Sequence, residues 1–180
     1  VVQQDIPAVD TTTAVTGYFE QGWNIVKTAF GAGMRMSIAG VQTLLTREKY
    51  VGTQYLDSNG HPTIGYGHMI KPGESFSYLT QAQAYQLFLQ DLKPVEDGVA
   101  SRLRVGVTQG QFDALTSFAF NIGIGNFAKS TLLALVNAGR MNDARALLPR
   151  TWVGRPGSTS YNGLLARRAE ELNLWDGTIA

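Results

Sequence analysis

Arg47-Glu48-Lys49-Tyr50-Val51-Gly52-Thr53-Gln54-Tyr55-Leu56-Asp57-Ser58-Asn59-Gly60-His61-Pro62-Thr63-Ile64-Gly65-Tyr66-Gly67-His68 is the stretch on which the reading turns. Glu48 and Asp57 stand nine positions apart, and Thr63 follows six positions later. The turn formers Asp57, Ser58, Asn59, Gly60 and Pro62 lie between short aromatic and β-branched runs, a hairpin pattern. The run before Glu48 has helical spacing. One carboxyl therefore sits where a helix ends and the other enters a turn just beyond, so a fold-back there brings two acids and a hydroxyl to one cleft.

The segment before it supports the helix. Ser37 is a suitable N-cap for a helix from Ile38 to about Glu48, with Val41, Leu44 and Leu45 facing inward. A carboxylate at a helix C-terminus meets the negative end of the dipole. An acid in that field keeps its proton to higher pH, which suits a proton donor. Two strands are expected after it, Tyr50 to Leu56 and Pro62 to His68, with a third short piece near Met69. Only His61 lies near His68 and the chain has no cysteine, so no metal site is expected. His68 reads instead as a hydrogen-bonding residue behind the cleft.

Glu48, Asp57 and Thr63, at these spacings and followed by Ile64-Gly65-Tyr66-Gly67-His68, resemble the active-site segment of the phage-type lysozymes, glycoside hydrolase family 24. The resemblance extends more loosely from Ser37 to Trp175. It implies an α+β fold, mostly helical: a small β lobe and a larger helical lobe joined by a long helix, with a cleft between them. It implies Glu48 as the acid, Asp57 as the carboxylate that stabilises the oxocarbenium-like state and helps activate water, and Thr63 as the residue that positions that water, with inversion at the anomeric carbon. The implied substrate is peptidoglycan, cut between N-acetylmuramic acid and N-acetylglucosamine. Tyr66, Gly67, His68, Ser117 and Asn121 are expected to bind substrate, and one of Arg167 or Arg168 to hold Glu48 in place. Lys49 departs from the family, which usually has glycine there to ease the turn out of the helix.

The rest of the chain fits that frame. Thr80 with Gln83, and Thr108 with Gln111, form capping boxes. The first opens a helical stretch to about Val105 with a stripe of Phe88, Leu92, Val95, Val99 and Leu103. Pro94 predicts a kink or a division into two helices there. The second opens a helix with Phe112, Leu115, Ala119 and Ile122 on its buried face, so that Ser117 and Asn121 share a different one. Phe120-Asn121-Ile122-Gly123 matches the family pattern at a helix bordering the substrate. Gly123 and Gly125 break the chain, Lys129 to Ala138 forms a further helix stopped by Gly139, and a shorter one ends near Pro149. Tyr161 to Leu172 resembles the family's terminal helix.

The 180 residues carry 15 Lys and Arg against 14 Asp and Glu. Residues 1–100 hold six Lys/Arg and nine Asp/Glu, a balance of −3, and residues 101–180 hold nine and five, a balance of +4. The basic half suits an anionic partner, such as an acidic polymer of the wall or outer membrane. A chain of this length buries roughly 70% of its unfolded surface. Without cysteine the fold is independent of redox state. No apolar run reaches the roughly 18–20 residues of a membrane span, and no nucleic-acid, dinucleotide or phosphate-loop motif is present. No cofactor is expected.

Residues 1–35 fall outside the resemblance and read as a linker with an extra helix from Thr13 to Phe30, the end of an upstream domain or a processed product. Residues 36–180 read as the catalytic domain. That extra helix either packs on the catalytic body, joins an upstream domain or lies on a membrane surface. The chain has no signal-peptide pattern, so a phage or secretion route, or a larger protein, would carry it to the periplasm or wall of a target bacterium. A monomer is expected, and an immunity protein if the chain is a delivered toxin. Two other readings stay open: a wall-binding module without catalysis, and a glycosidase of other amino-sugar polymers such as chitin.

Overall fold

The computed structural model describes residues 33–57 and 59–178. The extra helix expected over Thr13 to Phe30, and the domain boundary near residue 35, lie largely outside the described residues. Within them the chain is mixed α and β in the order α1 (Ile38–Arg47), β1 (Val51–Leu56), β2 (Pro62–Gly65), β3 (His68–Met69), α2 (Gln81–Ala100), α3 (Gln109–Ile122), α4 (Ile124–Ala128), α5 (Thr131–Asn137), α6 (Met141–Leu147), a 3-10 turn (Leu148–Arg150) and α7 (Tyr161–Asp176). No helix among the described residues is long and apolar enough to cross a membrane. The described chain forms two compact units. One holds Leu44–Lys93, the other residues 33–43 and 94–178.

The first unit is built on an antiparallel sheet of order β1-β2-β3. Tyr55 pairs with Thr63 and Leu56 with Pro62, and a bulge interrupts the register between Val51 and Tyr55. The second strand is shorter than expected. It stops at Gly65, because Tyr66 and Gly67 turn the chain before His68 resumes pairing opposite Ile64. Ile64, Leu79, Ala84 and Leu87 form its core, with Tyr50, Tyr66, Ile70 and Phe76 packed around them.

The second unit is helical. Phe112, Leu115 and Phe118 of α3, Phe127, Leu132, Val136, Ala144, Leu148 and Leu174 are buried together in one core. α3 and α7 approach so closely that a Cβ on Gly110 would collide with the Leu174 carbonyl oxygen. Ser37 caps α1 by accepting from the Gly40 amide at 3.1 Å. Its own hydroxyl donates to Asp113 of α3, whose other oxygen accepts the Ser37 amide at 3.0 Å.

Several boundaries differ from expectation for local reasons. Pro94 does not divide α2: one helix runs from Gln81 through it to Ala100. A proline removes one ladder bond, and burial of Leu92 and Val99 on either side holds the remainder. α2 also ends before Val105. The helix expected from Lys129 starts at Thr131, because the Ser130 side chain caps it by accepting the Leu133 amide. The break expected at Gly123 and Gly125 contains a single turn of helix, α4, anchored by the buried Phe127. Residues 112–119 of α3 are all buried, so Ser117 does not lie on a face apart from the core.

Candidate active site

Glu48 follows the last turn of α1, and its amide still bonds the Leu44 carbonyl at 3.2 Å. Lys49 beside it is exposed, and its φ is negative, since Trp152 is the only non-glycine residue with positive φ among the described residues. The lysine in place of the family's glycine therefore carries no left-handed strain. Glu48 faces the turn between β2 and β3. Gly67 there has φ +84°, and a Cβ on it would sit 3.4 Å from the Glu48 Oε2 atom.

Asp57 follows β1 directly and organises the hairpin turn. Its Oδ1 accepts the amides of Asn59 and His61, each at 2.8 Å, and its backbone amide donates to the His61 carbonyl at 3.0 Å. The His61 Nδ1 atom lies 3.3 Å from Oδ2. The His61 amide, against some loss of hydration and with help from the Asn59 amide and the His61 ring, holds the Asp57 carboxyl below its ordinary value. A carboxylate so held is ionised at neutral pH and suits a base rather than an acid.

Thr63 is buried at 3% exposure. Its hydroxyl donates to the His61 carbonyl at 3.0 Å, so its lone pairs remain to accept a proton. Its ladder partner Tyr55 lies on the same face of the sheet. The Tyr55 phenol is pushed above its ordinary value by burial and then by the negative charges of Glu48 and Asp57. Both carboxylates are thus within electrostatic reach of this phenol. Sequence reading missed Tyr55 and His61. The two-residue spacing from Tyr55 to Asp57, which puts both on one side of an extended chain, was the available signal for Tyr55.

Gly67 is exposed beside Glu48. The Tyr66 ring packs on Tyr50 at 5.7 Å and edge-on to Phe88 at 6.2 Å, and its hydroxyl accepts from Gln81 at 2.9 Å. His68 is buried, with Nδ1 at 2.7 Å from Asp91 and Nε2 at 2.9 Å from Glu74. In the helical unit, Ser117 is buried and donates to Glu171 at 3.1 Å. Asn121 accepts from Arg168. Arg168 is fully buried, stacks 4.7 Å above the Phe118 ring and pairs with Glu171 at 3.1 Å, and Arg167 lies 3.8 Å from the same carboxylate. Burial pushes Glu171 up to about 7, against the pull of Arg168, Arg167 and Ser117.

A helix end carrying one acid thus precedes a hairpin that holds a second acid and a threonine. The Phage lysozyme family model matches residues 46–171, and the chain belongs to that family. It is 39% identical over 145 residues to the endolysin of Bacillus phage PZA, across 79% of this chain and 55% of that protein. The chain thus spans just over half the length of that relative, as it does of the endolysin of Bacillus phage B103 (54%). Among solved structures it is similar to the endolysin from Escherichia coli O157:H7 phage FAHEc1, with TM-score 0.72 and 31% identity over 82% of this chain and 96% of that one. It is also similar to the muramidase domain of SpmX from Asticaccaulis excentricus, with TM-score 0.69 and 34% identity over 78% and 97%.

Proposed function

We propose that the chain is a muramidase that hydrolyses the glycan strand of peptidoglycan between N-acetylmuramic acid and N-acetylglucosamine. Glu48 protonates the leaving glycosidic oxygen as the bond to the anomeric carbon breaks. Water attacks that carbon from the opposite face and passes its proton to the Asp57 carboxylate. Thr63, its own proton committed to the His61 carbonyl, accepts the second hydrogen of that water and so aims its lone pair. Attack on the opposite face inverts the anomeric configuration. Gly67, beside Glu48, and its neighbours Tyr66 and His68 shape the substrate's surroundings.

The observation that carries this reading is the hairpin turn, where Asp57 accepts the Asn59 and His61 amides and Thr63 donates to the His61 carbonyl, with Glu48 against Gly67 in the turn that follows. A wall-binding module would have no need of an ionised, amide-held Asp57 near a second acid. The relative described as a muramidase domain also supports the substrate class. Within this proposal the chain works as a monomer on the wall of a target bacterium. If it is delivered as a toxin its producer carries an immunity protein, and a pull-down from producer cells that recovers none would remove that setting.

Glu48→Gln is the direct test. It should abolish clearing of a purified peptidoglycan suspension while the circular dichroism spectrum stays unchanged, and full clearing by this variant would sink the acid assignment. Proton NMR of the first products should show the α-anomer; a retained β-anomer would make Asp57 a nucleophile. Mass spectrometry of products from chitin oligosaccharides separates the other amino-sugar specificity.

A further inference from the structure

The helical unit holds an open concavity of about 620 Å³, cationic in its charged lining, that the hydrolytic proposal does not use. Arg102 and Arg104, in the turn after α2, and Lys129, just before α5, line it, and no Asp or Glu does. Arg104 and Lys129 are exposed and Arg102 is half-buried. None of the three forms an ion pair with a carboxylate among the described residues.

The concavity is also preorganised. The Asn137 side chain accepts the Arg104 amide at 2.8 Å and donates to the Arg102 carbonyl at 2.9 Å, which clamps the arginine turn onto α5. The Arg102 guanidinium is oriented by Nη1, which donates to the Gly98 carbonyl at 2.8 Å and lies 3.4 Å from the Ser101 hydroxyl. That leaves its Nη2 and Nε protons as further donors. A guanidinium fork beside a lysine point charge is the donor set that phosphate oxygens fit.

The lining also decides which phosphate. The exposed large apolar side chains are Ile38, Leu56, Met69, Tyr78 and Trp152, and none lines this concavity. A membrane surface would need apolar flanks to insert beside the cations. No aromatic ring lines it either, so nothing is offered for stacking nucleobases. What remains is a phosphodiester whose linker is small and polar. We propose that the concavity around Arg102, Arg104 and Lys129 is a phosphodiester subsite that grips the polyol-phosphate polymer of a bacterial wall. This rests on the muramidase reading for its choice of polymer. Its use follows from the substrate being a solid mesh: a second, ionic hold raises local concentration at the glycan. It also gives the +4 balance of residues 101–180 a specific seat.

The test separates binding from cutting. Isothermal titration of the Glu48→Gln protein with soluble poly(glycerol phosphate) should show binding that weakens steeply with salt. Replacing Arg102, Arg104 and Lys129 together by Gln on that background should weaken it about tenfold or more. The same triple replacement in the active protein should leave hydrolysis of soluble glycan chains unchanged, which also reports that it folds. Lys129→Glu alone, on an exposed side chain, should lower the affinity in a fully folded protein. Undiminished polymer binding by these variants, or no binding by the Glu48→Gln parent, would overturn the proposal. Equal affinity for phosphatidylglycerol vesicles or single-stranded DNA would overturn the wall assignment. Failure to cleave soluble glycan would instead strike the muramidase reading and leave the titration result standing.

Discussion

At the scale of single residues, Asp57 does two jobs that a variant can pull apart. Its Oδ1 atom holds the turn by accepting two amides, and in the proposed reaction its charge serves the attacking water. Asparagine keeps the acceptor and loses the charge. Asp57→Asn should therefore retain the fold while wall lysis falls by about 10²–10⁴, and a variant clearing wall at near-normal rate would remove the base assignment. The same amides set the acid limb of the pH profile. Because they hold the folded carboxyl below its ordinary value, Asp57 stays ionised to lower pH than a free aspartate, so activity should persist below the usual carboxylate range before falling. The spacing of Asp57 from Glu48 and Thr63 was legible as chemistry. Its third companion, Tyr55, was not, because a tyrosine in a strand reads as an ordinary β-former.

Among elements, two close contacts carry the helical unit. Gly110→Ala drives a methyl group into the Leu174 carbonyl oxygen. Backbone cannot rotate aside as a side chain can, so the cost should reach about 1–3 kcal/mol, seen as a lower Tm. An unchanged Tm would mean that α3 and α7 separate freely. Ser37→Ala removes the cap of α1 and the donor to buried Asp113 together. That should cost about 1–2 kcal/mol in urea unfolding, more than an exposed cap would. The caps themselves were readable, since Thr108 with Gln111 is a local pattern and the structure forms both of its bonds. Ser130 was equally local but was overlooked behind Lys129. The single turn of α4 was beyond reach, because its stability comes from the burial of Phe127 rather than from propensity.

For the whole molecule, the buried ionisable groups set how stability varies with pH. Burial works against a charged His68, yet Asp91 and Glu74 overcome it and raise its folded value. Its contribution is thus complete below the unfolded value near 6.5 and is lost as pH rises through the folded one. Burial raises Glu171 from 4.5 to about 7. The unfolded chain releases that proton first, so stability also falls as pH climbs across this interval. Asp57, Glu74 and Asp176 are depressed and lose their contributions only in acid. Thermal melts should therefore peak on the acid side of neutrality, at about pH 5, and a maximum above pH 8 would contradict these assignments. Glu171→Leu strands the buried Arg168 and should cost about 3–5 kcal/mol.

The type and order of the longer elements, and the residue types proposed for glycoside hydrolysis, were legible in the sequence alone. Helical and strand periods, caps and turn formers act over a few positions, and Glu48, Asp57 and Thr63 fall within one such short range. The tertiary structure alone decided which polar groups are interior. Ser117 meets Glu171 across 54 positions, Arg168 meets Asn121 across 47 and His68 meets Asp91 across 23. Ser117 is a polar residue that local pattern placed on a face apart from the core. Its burial is favourable only because a distant part of the chain supplies the matching charge or hydrogen bond.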